Sequence, residues 1–91
     1  MVSWDEVAFV NVSKYRKKTV KHLLHSASTP SSIAKATEIK ISHVSRALSQ
    51  LKKREIVECL TPNRHKGRIY VLTQKGIDIS KKIKESKLNN T

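Results

Sequence analysis

The chain is expected to be mainly α with a small β-hairpin, an α+β domain in which a helix–turn–helix precedes a cation-rich hairpin. Three observations carry that expectation. Between Thr29 and Arg54 two short helical patterns lie close together, in the run TPSSIAKATEIKISHVSRALSQLKKR. Two strand-like segments follow, residues 56–60 and 68–72, separated by a tip with the Pro, Asn and Gly chemistry of a turn. The third is charge: 19 Lys and Arg against 7 Asp and Glu give a formal +12 on 91 residues.

That length fits one domain, expected over residues 1–86, with a frayed tail at 87–91. A potential of this sign on so small a body attracts polyanions at long range, and nucleic acid is the expected partner. No stretch approaches the roughly 18 consecutive apolar residues of a membrane span, and no signal-peptide apolar core is visible. The single cysteine, Cys59, has no partner for an internal disulfide. Together these features make an intracellular, cytoplasmic location the expectation, and Asn11-Val12-Ser13 reads as a chance glycosylation triplet.

Taken in order, Ser3 and Glu6 have capping-box spacing, which suits a helix over residues 3–11. The cluster Trp4, Val7, Ala8, Phe9 and Val10 suits a strand equally, and in either form it needs burial, against the domain or a second chain. Ser13 is the expected N-cap of a helix over residues 14–25. Its apolar face is assigned to Tyr15, Thr19, Val20, Leu23 and Leu24, and its cationic face to Lys14, Arg16, Lys17, Lys18 and Lys21. No acidic residue occurs from Val7 to Thr37, so nothing local neutralises that face. It is either simply solvated or turned toward phosphate or a partner.

Thr29-Pro30 is a start signal, N-cap followed by Pro at the first helical position, for a short helix ending near Glu38. A second helix is expected over residues 41–54, burying Ile41, Val44, Ala47 and Leu51 as one stripe. The small Ala34 permits the close approach that a helix–turn–helix needs. Thr73 is positioned to cap a last helix through about Glu85, with Ile77, Ile79 and Ile83 as its apolar residues.

The helix over 41–54 leaves Ser42, His43, Ser45, Arg46, Ser49 and Gln50 off its stripe, with no carboxylate between Glu38 and Glu55. A helix built only for solvent usually carries Glu for ion pairs along its face. Short donors early and Arg or Gln later suit a helix that reads bases: Arg pairs with guanine, Gln with adenine, and Ser with bases or phosphates. Arg64, His65, Lys66 and Arg68 crowd the hairpin tip, which suits backbone or minor-groove contact. The plainer alternative is a charged turn that resists edge pairing. Ser31, Ser32 and Lys35 at the start of the first short helix suit a phosphate contact, although capping also explains the serines.

Catalytic and metal chemistry find little here. The chain has no Gly-rich phosphate loop, no HExxH and no paired Cys, so no enzyme activity, cofactor or metal is expected. His22 and His25 share a helix row without a third ligand type beside them. Cys59 reads as a small strand hydrophobe. Tyr70 and Trp4 read as core residues, and four aromatics in the chain disfavour a stacking single-strand binder.

The chain resembles the winged helix–turn–helix transcriptional regulators of the MarR/ArsR-like group, small archaeal members included. The resemblance rests on Pro30-Ser31-Ser32-Ile33-Ala34, Ser42-His43-Val44-Ser45-Arg46-Ala47-Leu48 with Leu51, Ile56-Val57-Glu58, Gly67-Arg68-Ile69-Tyr70 and Leu72-Thr73-Gln74-Lys75-Gly76. Ser13-Lys14-Tyr15-Arg16 and the early Trp4 extend it. It implies a three-helix core, a two- or three-stranded sheet with a wing, and a C-terminal helix. By that likeness Ser42, His43, Ser45, Arg46, Ser49 and Gln50 fall on the major-groove helix and residues 64–68 on the wing. The partners implied are double-stranded DNA, bound sequence-specifically as a regulator, and a second copy of the chain as a homodimer. Two departures limit the likeness. The Cys or His clusters of ArsR-type metal sensors are absent, so metal sensing does not carry over. The flanks are short for MarR-type dimer helices and ligand pockets, so no effector site carries over. Glu38-Ile39-Lys40 stands where the pattern often has Gly, which predicts a small tilt between the two helices. Rival readings are a non-specific nucleoid or RNA-binding protein, and a protein-interaction winged helix within a transcription assembly.

Overall fold

A computed structural model describes residues 3–89, in the order α1 (Trp4–Asn11), α2 (Lys14–His25), α3 (Pro30–Thr37), α4 (Ile41–Lys53), β1 (Val57–Cys59), β2 (Tyr70–Leu72) and α5 (Gln74–Asn89). It is mainly α with a small hairpin. Residues 90 and 91, the end of the expected tail, lie outside the described residues, and α5 runs to Asn89, beyond the Glu85 expected for its end.

The undecided opening segment is a helix. Ser3 caps it by accepting from the Asp5 backbone N–H, and Asp5 and Glu6 place negative charge in the first turn, where the helix dipole favours it. Ser13 caps α2 through the Arg16 N–H, and Thr29 caps α3 through the Ser32 N–H with Pro30 behind it. Thr73 caps α5, accepting at 3.1 Å from the Gly76 N–H.

The core gathers Val7 and Val10 of α1, Val20 and Leu23 of α2, Ile33, Ile39, Val44, Leu48 and Leu51, then Ile56, Val57 and Ile79. Every element except β2 contributes a fully buried residue, and β2 lays Tyr70 and Leu72 against the same cluster. Thr19 is buried with them, and its hydroxyl has no hydrogen-bond partner among the described residues.

Four expectations about burial need correction. Trp4 is 66% exposed rather than a core residue; α1 turns Val7 and Val10 inward, and the indole lies outside under the Lys82 ammonium. Ile41 is 51% exposed, and the buried stripe of α4 begins at Val44. Leu24 is exposed as well, since the buried row of α2 runs through Thr19, Val20 and Leu23. Arg16, assigned to the cationic face of α2, lies half-buried on that same row.

The strands are shorter than expected, three residues each, paired antiparallel as Val57↔Leu72, Glu58↔Val71 and Cys59↔Tyr70. Leu60 extends the ladder by donating to Ile69 O at 2.8 Å. On its other side Tyr70 bridges Ser28, exchanging backbone bonds of 2.9 and 3.1 Å, so the hairpin is tied to the α2–α3 connection. The buried Ser28 hydroxyl also lies 2.9 Å from His22 Nε2, which gives that histidine a structural partner.

Candidate nucleic-acid interface

The turn between α3 and α4 determines how α4 is presented. Glu38 adopts φ 58° and ψ 35°, the left-handed conformation that glycine takes most cheaply, and its N–H bonds to Ala34 O. Ile39 then donates to the same carbonyl at 3.2 Å and drops its side chain into the core. Glu38 thus adopts the turn conformation that glycine favours, at a conformational cost of roughly 1–2 kcal/mol.

On α4 the buried residues Val44, Ala47, Leu48 and Leu51 hold one side against the core. Ser42, Ser45, Arg46 and Ser49, spaced i, i+3, i+4 and i+7, are exposed together on another. His43 and Gln50, seven residues apart, lie on the edge that faces α2, and both are half-buried. The His43 ring stacks on Tyr15, centroids 4.4 Å apart and planes within 4°. Gln50 Oε1 accepts a hydrogen bond of 2.9 Å from Arg16 Nη1. The structure therefore brings four of the six expected residues together on an exposed face and engages the other two with α2.

Arg16 departs from the cationic-face expectation, being bonded on both sides within the fold. Its Nε donates to Phe9 O at 2.8 Å and its guanidinium rests 3.9 Å from the Phe9 ring centre. The Arg54 guanidinium lies at the same distance from that ring. Burial, and then the charge of Arg54, hold the Arg16 pKa below its ordinary value, yet the aromatic face and the carbonyl favour the cation. The spacing of Arg16 to Thr19, Val20 and Leu23 is i, i+3, i+4, i+7, and that was the available signal that it belongs to the packed row.

Behind this cluster Lys75 Nζ joins Glu6 at 2.6 Å and donates to Arg54 O at 2.8 Å, linking α5, α1 and the end of α4. Near the Tyr15–His43 stack is a cavity of about 230 Å³ that Lys14, Lys18, Lys40, Glu38 and Ile39 also line. Lys40 precedes α4 and makes no side-chain cap, which leaves that helix start to solvent or a ligand.

The hairpin tip projects beyond the ladder. Arg64, His65 and Lys66 are exposed, and Arg68 is half-exposed with its Nε on Arg64 O at 2.6 Å. The Arg64 N–H bonds to Thr61 O at 3.1 Å, Thr61 Oγ1 accepts from the Ile69 N–H at 3.0 Å, and Gly67 closes the turn at φ 67°. Ser31, Ser32 and Lys35 are exposed on α3, with the Ser32 hydroxyl 3.1 Å from Thr29 Oγ1. Among the described residues, no group of three or more His, Cys, Asp or Glu is placed to hold a metal ion. No helix among them is long and apolar enough to cross a membrane.

No protein-family model matches the chain, and no curated protein matches it by sequence. Solved structures do. A MarR-family transcription regulator superposes with a TM-score of 0.80 and 21% identity, over 92% of this chain and 57% of that one. The architecture is a winged helix–turn–helix. The homodimeric winged helix–turn–helix DNA-binding domain of a possible ArsR-family regulator from Mycobacterium bovis matches over 92% of this chain and 74% of its own, with a TM-score of 0.69 and 19% identity. Lactococcus lactis ZitR in complex with DNA matches 70% of this chain and 47% of its own, at 26% identity and a TM-score of 0.60. This chain spans 57% of the length of the MarR-family protein and 61% of that of an apo ZitR variant. In winged-helix terms α2, α3 and α4 are the helical trio, residues 60–69 the wing, and α1 and α5 the flanks.

Proposed function

We propose that this winged helix binds double-stranded DNA sequence-specifically as a transcriptional regulator and has no catalytic activity. The observation that carries the reading is the exposed face of α4, where Ser42, Ser45, Arg46 and Ser49 stand together on a helix that has no carboxylate of its own. In this reading α4 enters the major groove, with Arg46 on a base edge and the serines on bases or phosphates. His43 and Gln50 enter from the α2 side, His43 backed by Tyr15. Arg64, His65, Lys66 and Arg68 follow the flanking backbone or minor groove. Ser31, Ser32 and Lys35 meet a phosphate at the start of α3. Lysine and arginine contacts supply most of the affinity, and the face of α4 supplies the selectivity.

The likeness to DNA-bound ZitR supports the same use of the fold, and the homodimeric Mycobacterium bovis domain supports pairing of two copies. A pair would bind a near-palindrome with half-sites about one helical turn apart. A monomeric mass at micromolar concentration argues against the pair.

The deciding measurement is binding to the DNA upstream of the protein's own gene and to a shuffled duplex of equal length, across a salt series. A regulator keeps the specific site at roughly 150 mM salt while the shuffled duplex falls away. Equal and steep loss on both duplexes identifies a charge-driven binder instead. Negligible affinity for either points to a protein-binding winged helix.

A further inference from the structure

Glutamine in a major groove is a two-way reader: its carbonyl accepts from the adenine amino group while its amide donates to N7. Either end can face the DNA, because a free amide rotates. In this chain it is not free. Arg16 Nη1 donates to Gln50 Oε1 at 2.9 Å, across from α2 to α4. Arg16 cannot readily turn away, since its Nε is bonded to Phe9 O at 2.8 Å and its guanidinium lies on the Phe9 ring. The bond is also charge-assisted and half-buried, which makes it stronger than an exposed neutral pair.

We infer that Arg16 is a positioning residue for base selection: by holding Oε1 of Gln50 toward α2, it leaves only the Gln50 amide N–H groups to face the DNA. The inference rests on the proposed placement of α4 in the major groove. A donor-only Gln50 matches acceptor edges, guanine O6 and N7 or thymine O4; at adenine it keeps only the N7 bond with the N6 amino group set against its N–H groups, and cytosine offers an amino donor alone. The adjacent guanidinium reinforces the choice, because its positive charge opposes an incoming amino donor and favours an acceptor. The ordinary pairing of glutamine with adenine is therefore disfavoured at this position, although Gln50 by itself would suit it.

The test selects preferred sites from a randomised duplex library with the full chain and with three variants. Gln50→Ala identifies the position, as the one whose preference collapses. At that position the parent is expected to favour guanine or thymine over adenine by about 5-fold or more, the lower end of one good base contact. Arg16→Met keeps apolar bulk on the Phe9 ring, removes the donor, and is expected to move the preference toward adenine at that position alone. Gln50→Glu keeps the Arg16 contact and exchanges a donor for an acceptor, so it is expected to move the preference toward cytosine; it serves even where Arg16→Met fails to fold. A parent that already favours adenine there overturns the inference, as does a ranking that neither variant changes. Those results leave the regulator reading standing. A parent with no sequence preference at any position overturns both.

Discussion

Gly76 should be the least replaceable small residue in the chain, and the reason is contact rather than backbone conformation. A Cβ built on it stands 2.3 Å from Ile56 O and 3.1 Å from Leu72 Cδ2. Carbon and carbonyl oxygen ordinarily approach no closer than about 3.3 Å, so Gly76→Ala needs a separation of about 1 Å between α5 and the residue before β1. Leu72 is a side chain and can yield. Ile56 O cannot move freely, because it accepts the Thr73 N–H at 3.0 Å and lies within 3.1 Å of the Thr73 hydroxyl that caps α5. Its own side chain is fully buried. Overpacking of this kind costs roughly 1–3 kcal/mol, and a backbone obstacle puts it at the upper end. Alanine returns at most about 1 kcal/mol of helix propensity, which leaves a net loss of about 2 kcal/mol. In a domain of this size that lowers Tm by roughly 8–16 °C. Urea and thermal unfolding followed by far-UV circular dichroism measure it, with exposed Lys81→Ala as a control expected to change little. A Gly76→Ala protein as stable as the parent would refute the claim that α5 is seated against Ile56 at this distance.

Three further substitutions have definite expected outcomes. Thr19→Val removes a buried hydroxyl that has no partner among the described residues and should raise stability by about 1 kcal/mol, read as a higher urea midpoint at unchanged slope; a lower midpoint means the hydroxyl is satisfied in solution. Arg46→Ala should cost about 1–3 kcal/mol on the specific site and relax discrimination at one base pair, measured by titration of a point-substituted duplex series. Unchanged affinity for the cognate site shows that the reading face lies elsewhere. Lys66→Ala should weaken all duplexes alike and reduce the slope of log K against log salt by about one unit; an unaltered slope removes the wing from the phosphate contacts.

Legibility in the sequence followed the range of the forces involved. The caps at Ser13, Thr29 and Thr73 are local events between neighbours in the chain, and each was readable from residue type and spacing. The stripe of α4 from Val44 to Leu51 was readable for the same reason. What escaped depended on partners far along the chain. Arg16 looks like one more cation among lysines until Phe9 and Gln50, seven and thirty-four positions away, are brought to it. Trp4 reads as core because tryptophan usually is, yet α1 turns Val7 and Val10 inward and leaves the indole exposed. Glu38 looked like a departure from the turn, but the bonds to Ala34 O and the burial of Ile39 impose the left-handed conformation on a residue that would not choose it.

These corrections bear on how the two flanks serve the trio. The opening cluster needs a cover, and α1 and α5 cover each other: Val7, Val10 and Ile79 share the core, and Glu6 reaches Lys75. Phe9, the other aromatic residue of α1, carries on its ring both Arg16, which bonds Gln50 near the end of α4, and Arg54, the C-cap of α4. The first flank is therefore the back support of the helix proposed to enter DNA, and changes in α1 should be felt in base selection as well as in stability. Trp4 and Val12 at the first flank are among the large apolar residues this arrangement leaves exposed, and a proposed second copy could be tested there. A dimer built there would bury one indole per protomer at its centre, and Trp4→Ala should then release monomers while leaving Tm at high dilution unchanged, because the indole contributes little to the fold of its own chain.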